Sequence, residues 1–230
     1  YRLIEEIDGI GFATADQVAG RVGYAPDSSE RIMAGLIHLM REAAFSDGHT
    51  CLPVTGVLLK ARELLSLEME KIAPVLGETI ERGFLVKDGD FVSIPDLYEA
   101  EQAIVRKIRE LAACSLPYST PCMDGLQADQ VEAVRKAMQN SVFILTGPPG
   151  TGKTYTIKRI IQSFPDAHIA LAAPTGKASK RIYEESGMPA STIHKLLEPE
   201  KTDRGFQFTR NAEWPIDADL IVLDEMSMVD

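Results

Sequence analysis

The sequence has little of what marks a secreted, metal-rich or membrane protein. Only three cysteines occur, Cys51, Cys114 and Cys122, far apart and with no CxxC pair. Neither a disulfide framework nor a cysteine metal site is expected from them, and they read as small thiols in a reducing cytoplasm. The four histidines are scattered, without ligand spacing. No apolar stretch approaches the ~20 residues that cross a bilayer, so no membrane partner is expected. Positive charge is also short: 24 Lys and Arg stand against 34 Asp and Glu, a net charge of −10. That balance excludes a protein that coats nucleic acid by bulk electrostatics. The opening YRLIEEIDG has neither an initiator Met nor the pattern of a signal peptide. With the stop at Asp230, directly after an acidic motif, this start leads us to expect a piece of a longer chain.

What is present suffices for one large or two small folded domains, since 45 % of the 230 residues are apolar. Four regions separate. Residues 1–25 read as two short helices around the glycine turn of IDGIGF. Residues 26–113 read as helical with one hairpin. Asp27 and Glu30 frame a capping box ahead of an Ile32, Leu36, Leu39 and Ala43 stripe. A second helix after Thr55 carries Leu58, Leu59, Leu64 and Leu65, and a third follows Pro74 as its first turn. GFLVKDGDFVS places an Asp88-Gly89 turn between two β-rich runs, which makes a winged-helix-like module plausible. Leu97, Ala100, Ile104, Ile108 and Leu111 stripe a connector helix whose Arg106, Lys107 and Arg109 read as a solvated face. Residues 114–125, CSLPYSTPCMDG, read as a linker. From 126 to 230 helix and strand alternate, the pattern of an α/β fold with a parallel sheet.

The strongest chemical signal is GPPGTGKT at 147–154, between the apolar run SVFILT and the helix GKTYTIKRIIQSF. It fits the phosphate loop G-x-x-x-x-G-K-[ST] in the required strand–loop–helix setting. Gly147, Pro148, Pro149, Gly150, Thr151 and Gly152 would wrap phosphate oxygens with backbone N–H groups, helped by the helix dipole. Lys153 would reach the β and γ phosphates, and the Thr154 hydroxyl would hold Mg²⁺. The bland alternative is a tight turn. The apolar strand of ADLIVLDE then ends in two acids, which we expect to emerge beside the phosphate loop at the edge of the sheet where ligands bind. Asp224 would sit against Mg²⁺, and Glu225 would orient and deprotonate the attacking water. Without the phosphate loop, two solvated acids would be the default reading. Around the loop, 153–181 carries six basic residues and one acid, Asp166, so a polyanion would be handled there.

Taken together, DQVEAV with Gln130, GPPGTGKT, APTGKASKR at 173–181, STIHKLL at 191–197 and the closing DEMSMVD resemble the RecD-like DNA helicases of superfamily 1. IDGIGFATADQVAGRVGY resembles the helix-hairpin-helix module ahead of the motor in one type of these. The resemblance implies a RecA-like motor domain that uses ATP and Mg²⁺ to move along single-stranded DNA, 5′ to 3′, and acts at DNA junctions. It leaves protein partners open. It implies that Gln130 reads adenine, which a terminal amide can do; an exposed helical Gln is the alternative. It implies that Pro174, Thr175, Gly176 and Lys177 grip the DNA backbone, against a capped helix with a solvated basic face. Thr192 and His194 would be a further DNA contact, unless Ser191 simply caps a short helix there. Ser227 and Asp230 would couple the two sites. Gly9, Ile10 and Gly11 would present backbone N–H groups to a DNA phosphate, or serve only in packing.

Two other functions stay open on the residues: a nucleotide-switched DNA-binding adaptor without productive turnover, and a small-molecule P-loop kinase. The resemblance further implies a second motor domain and arginines on the γ-phosphate from beyond residue 230. An arginine finger supplies about 10³–10⁵ in rate. Residues 1–230 alone are therefore expected to show no ATP-driven strand displacement on a tailed duplex. Unwinding by that piece would contradict the reading.

Overall fold

The computed structural model describes residues 11–202 and 205–229. The chain divides into two compact units, residues 1–107 and 108–230. Gly9, Ile10 and Asp230 lie outside the described residues.

In the first unit the elements are α1 (Phe12–Val22), α2 (Ser29–Phe45), β1 (Leu52–Pro53), α3 (Val54–Leu65), α4 (Met69–Glu81), β2 (Val86–Asp88) and β3 (Phe91–Ser93). The strands form an antiparallel sheet in the order β1-β3-β2. Helix, short strand, two helices and a closing hairpin is winged-helix connectivity. Gly89 turns the hairpin at φ +56°, where a Cβ would be strained. Ile32 and Leu36 of α2, Val57 of α3, Ile72 of α4, and Leu85 and Val92 beside the hairpin are all essentially inaccessible and share one core. Arg31 ties three helices together. Its Nε and Nη2 fork onto Asp16 of α1 at 2.7 and 2.9 Å, and Nη1 donates to the Leu65 carbonyl at the end of α3.

Four expectations need correction here. Ser28, not Asp27, caps α2, accepting from the Arg31 N–H. Asp27 instead pairs with Lys71 at 2.7 Å, and the hydrogen bond and charge of that lysine hold its carboxyl below the ordinary range. Pro74 lies inside α4 rather than in its first turn; on the exposed side of the helix the loss of one backbone donor is tolerated. Leu59 and Leu64 face outward on α3, where Val57, Ala61 and Leu65 are the buried residues. The stripe on α5 (Pro95–Ala112) is real as a pattern, but none of its residues is buried, and Ile104 is 57 % exposed.

The second unit holds α6 (Ala128–Ala137), α7 (Lys153–Gln162), β4 (Ile169–Ala173), α8 (Gly176–Ser186), β5 (Ser191–Thr192), α9 (Ile193–Leu196), the hairpin β6 (Pro199–Thr202) and β7 (Gly205–Phe208), and β8 (Leu220–Leu223). Its sheet is parallel, in the order β5-β4-β8. Two apolar clusters flank α7. Val134, Ala137, Ile160 and Phe164 form one, and Ile161, Leu171, Ala173 and Ile182 form the other. Residues 114–125 do not run free: the Thr120 N–H donates to the Ser163 carbonyl at 2.7 Å and the Cys122 N–H to the buried Ser163 hydroxyl at 3.0 Å.

The run 141–146 is not the buried strand expected. It joins no ladder among the described residues, Phe143 alone packs against a core cluster, and Ile144 is 82 % exposed. An apolar run becomes a strand only where a neighbour takes its N–H and C=O groups. The open edge of β8 is not hydrogen-bonded to it, so no shared strand pair joins the acids to the phosphate loop among the described residues.

Two helical glycines give opposite predictions. A Cβ on Gly35 would lie 2.7 Å from Leu65 Cδ2 and 3.3 Å from Phe12 Cζ, both buried, whereas one on exposed Gly77 meets nothing. Gly35→Ala should destabilise by about 1–3 kcal/mol through overpacking. Gly77→Ala should stabilise by about 0.5–1 kcal/mol by relieving helix entropy. Chemical denaturation of the two variants checks the signs.

Candidate nucleotide site

The phosphate loop is shaped by two glycines in the left-handed region, Gly150 at φ +80° and Gly152 at φ +76°. Gly152 caps α7 in that conformation, so the helix begins at Lys153 with its N-terminal end open to an anion. A Cβ on Gly152 would also strike Gln130 Nε2 at 2.7 Å. Lys153 folds back over the loop, its ammonium donating to the carbonyls of Gly147 at 2.7 Å and Pro148 at 3.0 Å. A third N–H of that ammonium remains for a phosphate. Thr151 Oγ1 donates to the Pro148 carbonyl and Thr156 Oγ1 to that of Gly152. The cleft beside the loop encloses about 230 Å³ and is lined by Gln130, Ala133, Leu145, Thr146 and Lys153 among others.

Gln130 sits in the first turn of α6 and closes a capping box with Gln127. Its Oε1 accepts from the Gln127 N–H at 3.0 Å and its Nε2 donates to the Thr151 carbonyl at 3.2 Å. The amide thus braces the loop, while each end retains one further hydrogen-bonding position.

All three strands run the same way, so their carboxyl ends share one edge. Along it lie the segment 192–194 after β5, the segment 174–177 after β4, and Asp224 and Glu225 after β8. Thr175 caps α8 by accepting from the Ala178 N–H at 3.2 Å. Thr192, not Ser191, caps α9, accepting from the Lys195 N–H at 3.2 Å. Gly176, Lys177 and His194 are exposed, and the His194 ring meets Phe208 of the β6–β7 hairpin at 5.9 Å. Sequence reading missed that hairpin because PEKTDRGFQF lacks a strong alternating pattern. Ser227 falls in a 3₁₀ turn (Met226–Met228).

Glu225 stands at φ +54°, a conformation uncommon for a residue with a side chain, and its N–H donates to Asp224 Oδ1 at 2.9 Å. Such strained positions cluster at functional sites. Helix α8 packs through Ile182 against Ile161 of α7 and against Leu171 and Ala173 of β4. Arg181 Nε donates to Glu185 Oε1 at 2.8 Å, and Arg181 also feels the charges of Glu225 and Asp224. The Glu185 carboxyl is held below the usual range chiefly by its hydrogen bond from Arg181. Sequence reading took Arg181 as one of the basic residues near a polyanion and did not single out Glu185. Their i,i+4 spacing on a helix was the available signal. Lys180 likewise pairs with Glu184, at 3.8 Å, so the basic strip read from the sequence is partly neutralised.

Two family models match the chain. A family model described as "AAA domain" matches residues 130–230. Another, described as "ATP-dependent RecD2 DNA helicase HHH domain", matches residues 1–51. Along 98 % of its length the chain is 28 % identical to the ATP-dependent RecD2 DNA helicase of Deinococcus radiodurans, of which it covers 34 %. The chain is RecD-like. It is also 30 % identical to the RecBCD enzyme subunit RecD of Mycolicibacterium smegmatis over 68 % of this chain and 33 % of that protein. The Haemophilus influenzae RecD subunit matches at 36 % over 44 % of the chain and 20 % of that subunit. The chain thus spans about a third of the length of the two relatives it matches over most of its own. The fold is that of a P-loop NTPase domain preceded by a helical region.

The brace made by Gln130 is testable without nucleotide. Gln130→Ala removes two hydrogen bonds, each worth about 0.5–1.5 kcal/mol net. It should lower the melting temperature of the nucleotide-free protein and speed proteolysis within the loop. Unchanged melting and cleavage would show that the loop holds its shape by itself.

Proposed function

We propose that the chain carries the ATP site and part of the strand-binding surface of an ATP-dependent DNA helicase. The observation that carries this reading is the layout of the second unit. A GKT loop starts α7, and the carboxyl edge of the parallel sheet carries an acidic pair together with two candidate strand-contact segments. In this reading the loop at 147–154 binds the triphosphate and Lys153 spans the β and γ phosphates. The Gln130 amide uses its remaining positions on adenine. Thr154 and Asp224 offer a hydroxyl and a carboxylate, an oxygen donor set suited to Mg²⁺. Bound there, Mg²⁺ would neutralise charge developing on the phosphates. Glu225 takes the proton of the attacking water, its strained backbone fixing where the carboxylate points.

Residues 174–177 and Thr192 with His194 lie beside this site, so a strand held along them would meet the same elements that hold the nucleotide. The backbone N–H groups at the start of α8 and the Lys177 ammonium suit phosphates. Single-stranded DNA and DNA junctions are the proposed partners, and a 5′ to 3′ direction follows from the family resemblance alone. Gly9, Ile10 and Gly11 are proposed as a second contact with the DNA backbone; of these, Gly11 caps α1.

The test is the Mg-ATPase rate of the full-length protein with and without single-stranded DNA, with Glu225→Gln as comparison. We expect strong stimulation by DNA and a loss of at least about 10²-fold in kcat in the variant. A rate indifferent to DNA would overturn the helicase reading. ATP binding without turnover would favour a nucleotide-switched adaptor instead.

A further inference from the structure

The chain just before α6 is tied along α7, and the tie reaches Gln130. We propose that the Tyr155 hydroxyl, held by Arg159, is a positioning residue that fixes the Gln130 amide for adenine and so helps set which base the site accepts. The inference rests on the nucleotide-site reading above and adds to it a determinant of base choice.

Tyr155 follows the GKT triplet in the first turn of α7. Its hydroxyl accepts from Arg159 Nη2 at 2.7 Å and donates to the Asp124 carbonyl at 3.4 Å. The Arg159 guanidinium lies over the Tyr155 ring, 5.1 Å from its centroid. Its Nη1 reaches Gln162 Oε1 at 3.1 Å and Cys122 Sγ at 3.4 Å. Arg159 Nε is buried without a hydrogen-bond partner, a cost that the Nη contacts offset. Just past the end of α7, the buried Ser163 takes the N–H groups of both Thr120 and Cys122. Met123 and Leu126 pack against Val134, Ile160 and Phe164. Gly125 shows how close the approach is. It stands at φ +74°, and a Cβ there would lie 2.9 Å from the Tyr155 hydroxyl.

Two residues later Gln127 caps α6, and its N–H donates to Gln130 Oε1 at 3.0 Å. Gln130 Nε2 donates in turn to the Thr151 carbonyl at 3.2 Å. These contacts close a ring. It runs from Tyr155 across to Asp124, along the chain to Gln127, across to Gln130, over to Thr151 and back along the loop. The amide cannot shift within that ring without disturbing the tyrosine contact. Adenine presents an amine donor beside the N7 acceptor, the pattern a glutamine amide pairs with. Hypoxanthine, the base of inosine, has a carbonyl oxygen in place of the amine. A displaced amide therefore costs adenine its advantage and leaves the grip on the phosphates alone.

The experiment titrates the full-length protein with N-methylanthraniloyl-ADP and with the matching IDP probe. The wild type should prefer the adenine probe, and Gln130→Ala should abolish the preference. Tyr155→Phe keeps the ring and removes the hydroxyl. It should weaken the ADP probe about three- to tenfold and leave the IDP probe within about twofold. Arg159→Met should act in the same direction, and Arg159→Lys, which can still donate to the hydroxyl, should recover part of the loss. Adding Tyr155→Phe to Gln130→Ala should change neither affinity further, because the hydroxyl acts through the amide. Equal weakening of both probes in Tyr155→Phe, an unchanged preference, or an additive loss in the double variant overturns the proposal while the nucleotide site stands. If the wild type shows no preference, or Gln130→Ala keeps it, the adenine reading of Gln130 fails and this inference with it.

Discussion

The seating of α8 on the sheet is the contact on which the site depends. Ile182 is pressed between α7 and β4, and Ser179 is buried one turn earlier. With that face fixed, 3.6 residues per turn decide the rest. The first residues of the helix fall at the carboxyl edge of the sheet beside β5. Arg181 and Glu185 then project on the side of α7 and β8. No separate device is needed to bring the loop and the acids into one electrostatic system.

The site is open, and Lys153, Lys180 and Arg181 each meet a carbonyl or a carboxylate. Lys153 rests on the carbonyls of Gly147 and Pro148, contacts that water or a phosphate can replace at small cost. Among the described residues of the acidic pair and the phosphate loop, Glu225 is the non-glycine residue with a positive φ.

How much was legible in the sequence differs by scale. The GKT loop, the helix it starts and the acids at the end of β8 were readable, because each depends on local residue types. So were most helices; the stripe read at Ile32, Leu36, Leu39 and Ala43 is buried as spaced. What failed was what depends on neighbours. SVFILT has the composition of a buried strand, yet pairs with none of the described strands. Asp27 looked like a cap until Lys71, far along the chain, was seen to engage it while Ser28 capped the helix. Pro74 was placed at a helix start because a proline inside a helix is costly, but its exposed position let α4 begin at Met69.

The central claim is that nucleotide and strand contacts are joined through one rigid helix. Hydrogen–deuterium exchange of the full-length protein, with and without Mg²⁺ and a non-hydrolysable ATP analogue, tests it most directly. The account predicts slowed exchange at residues 150–154 and, in the same sample, at residues 176–181 across the sheet edge. Protection confined to 150–154, with 176–181 exchanging as before, would contradict it.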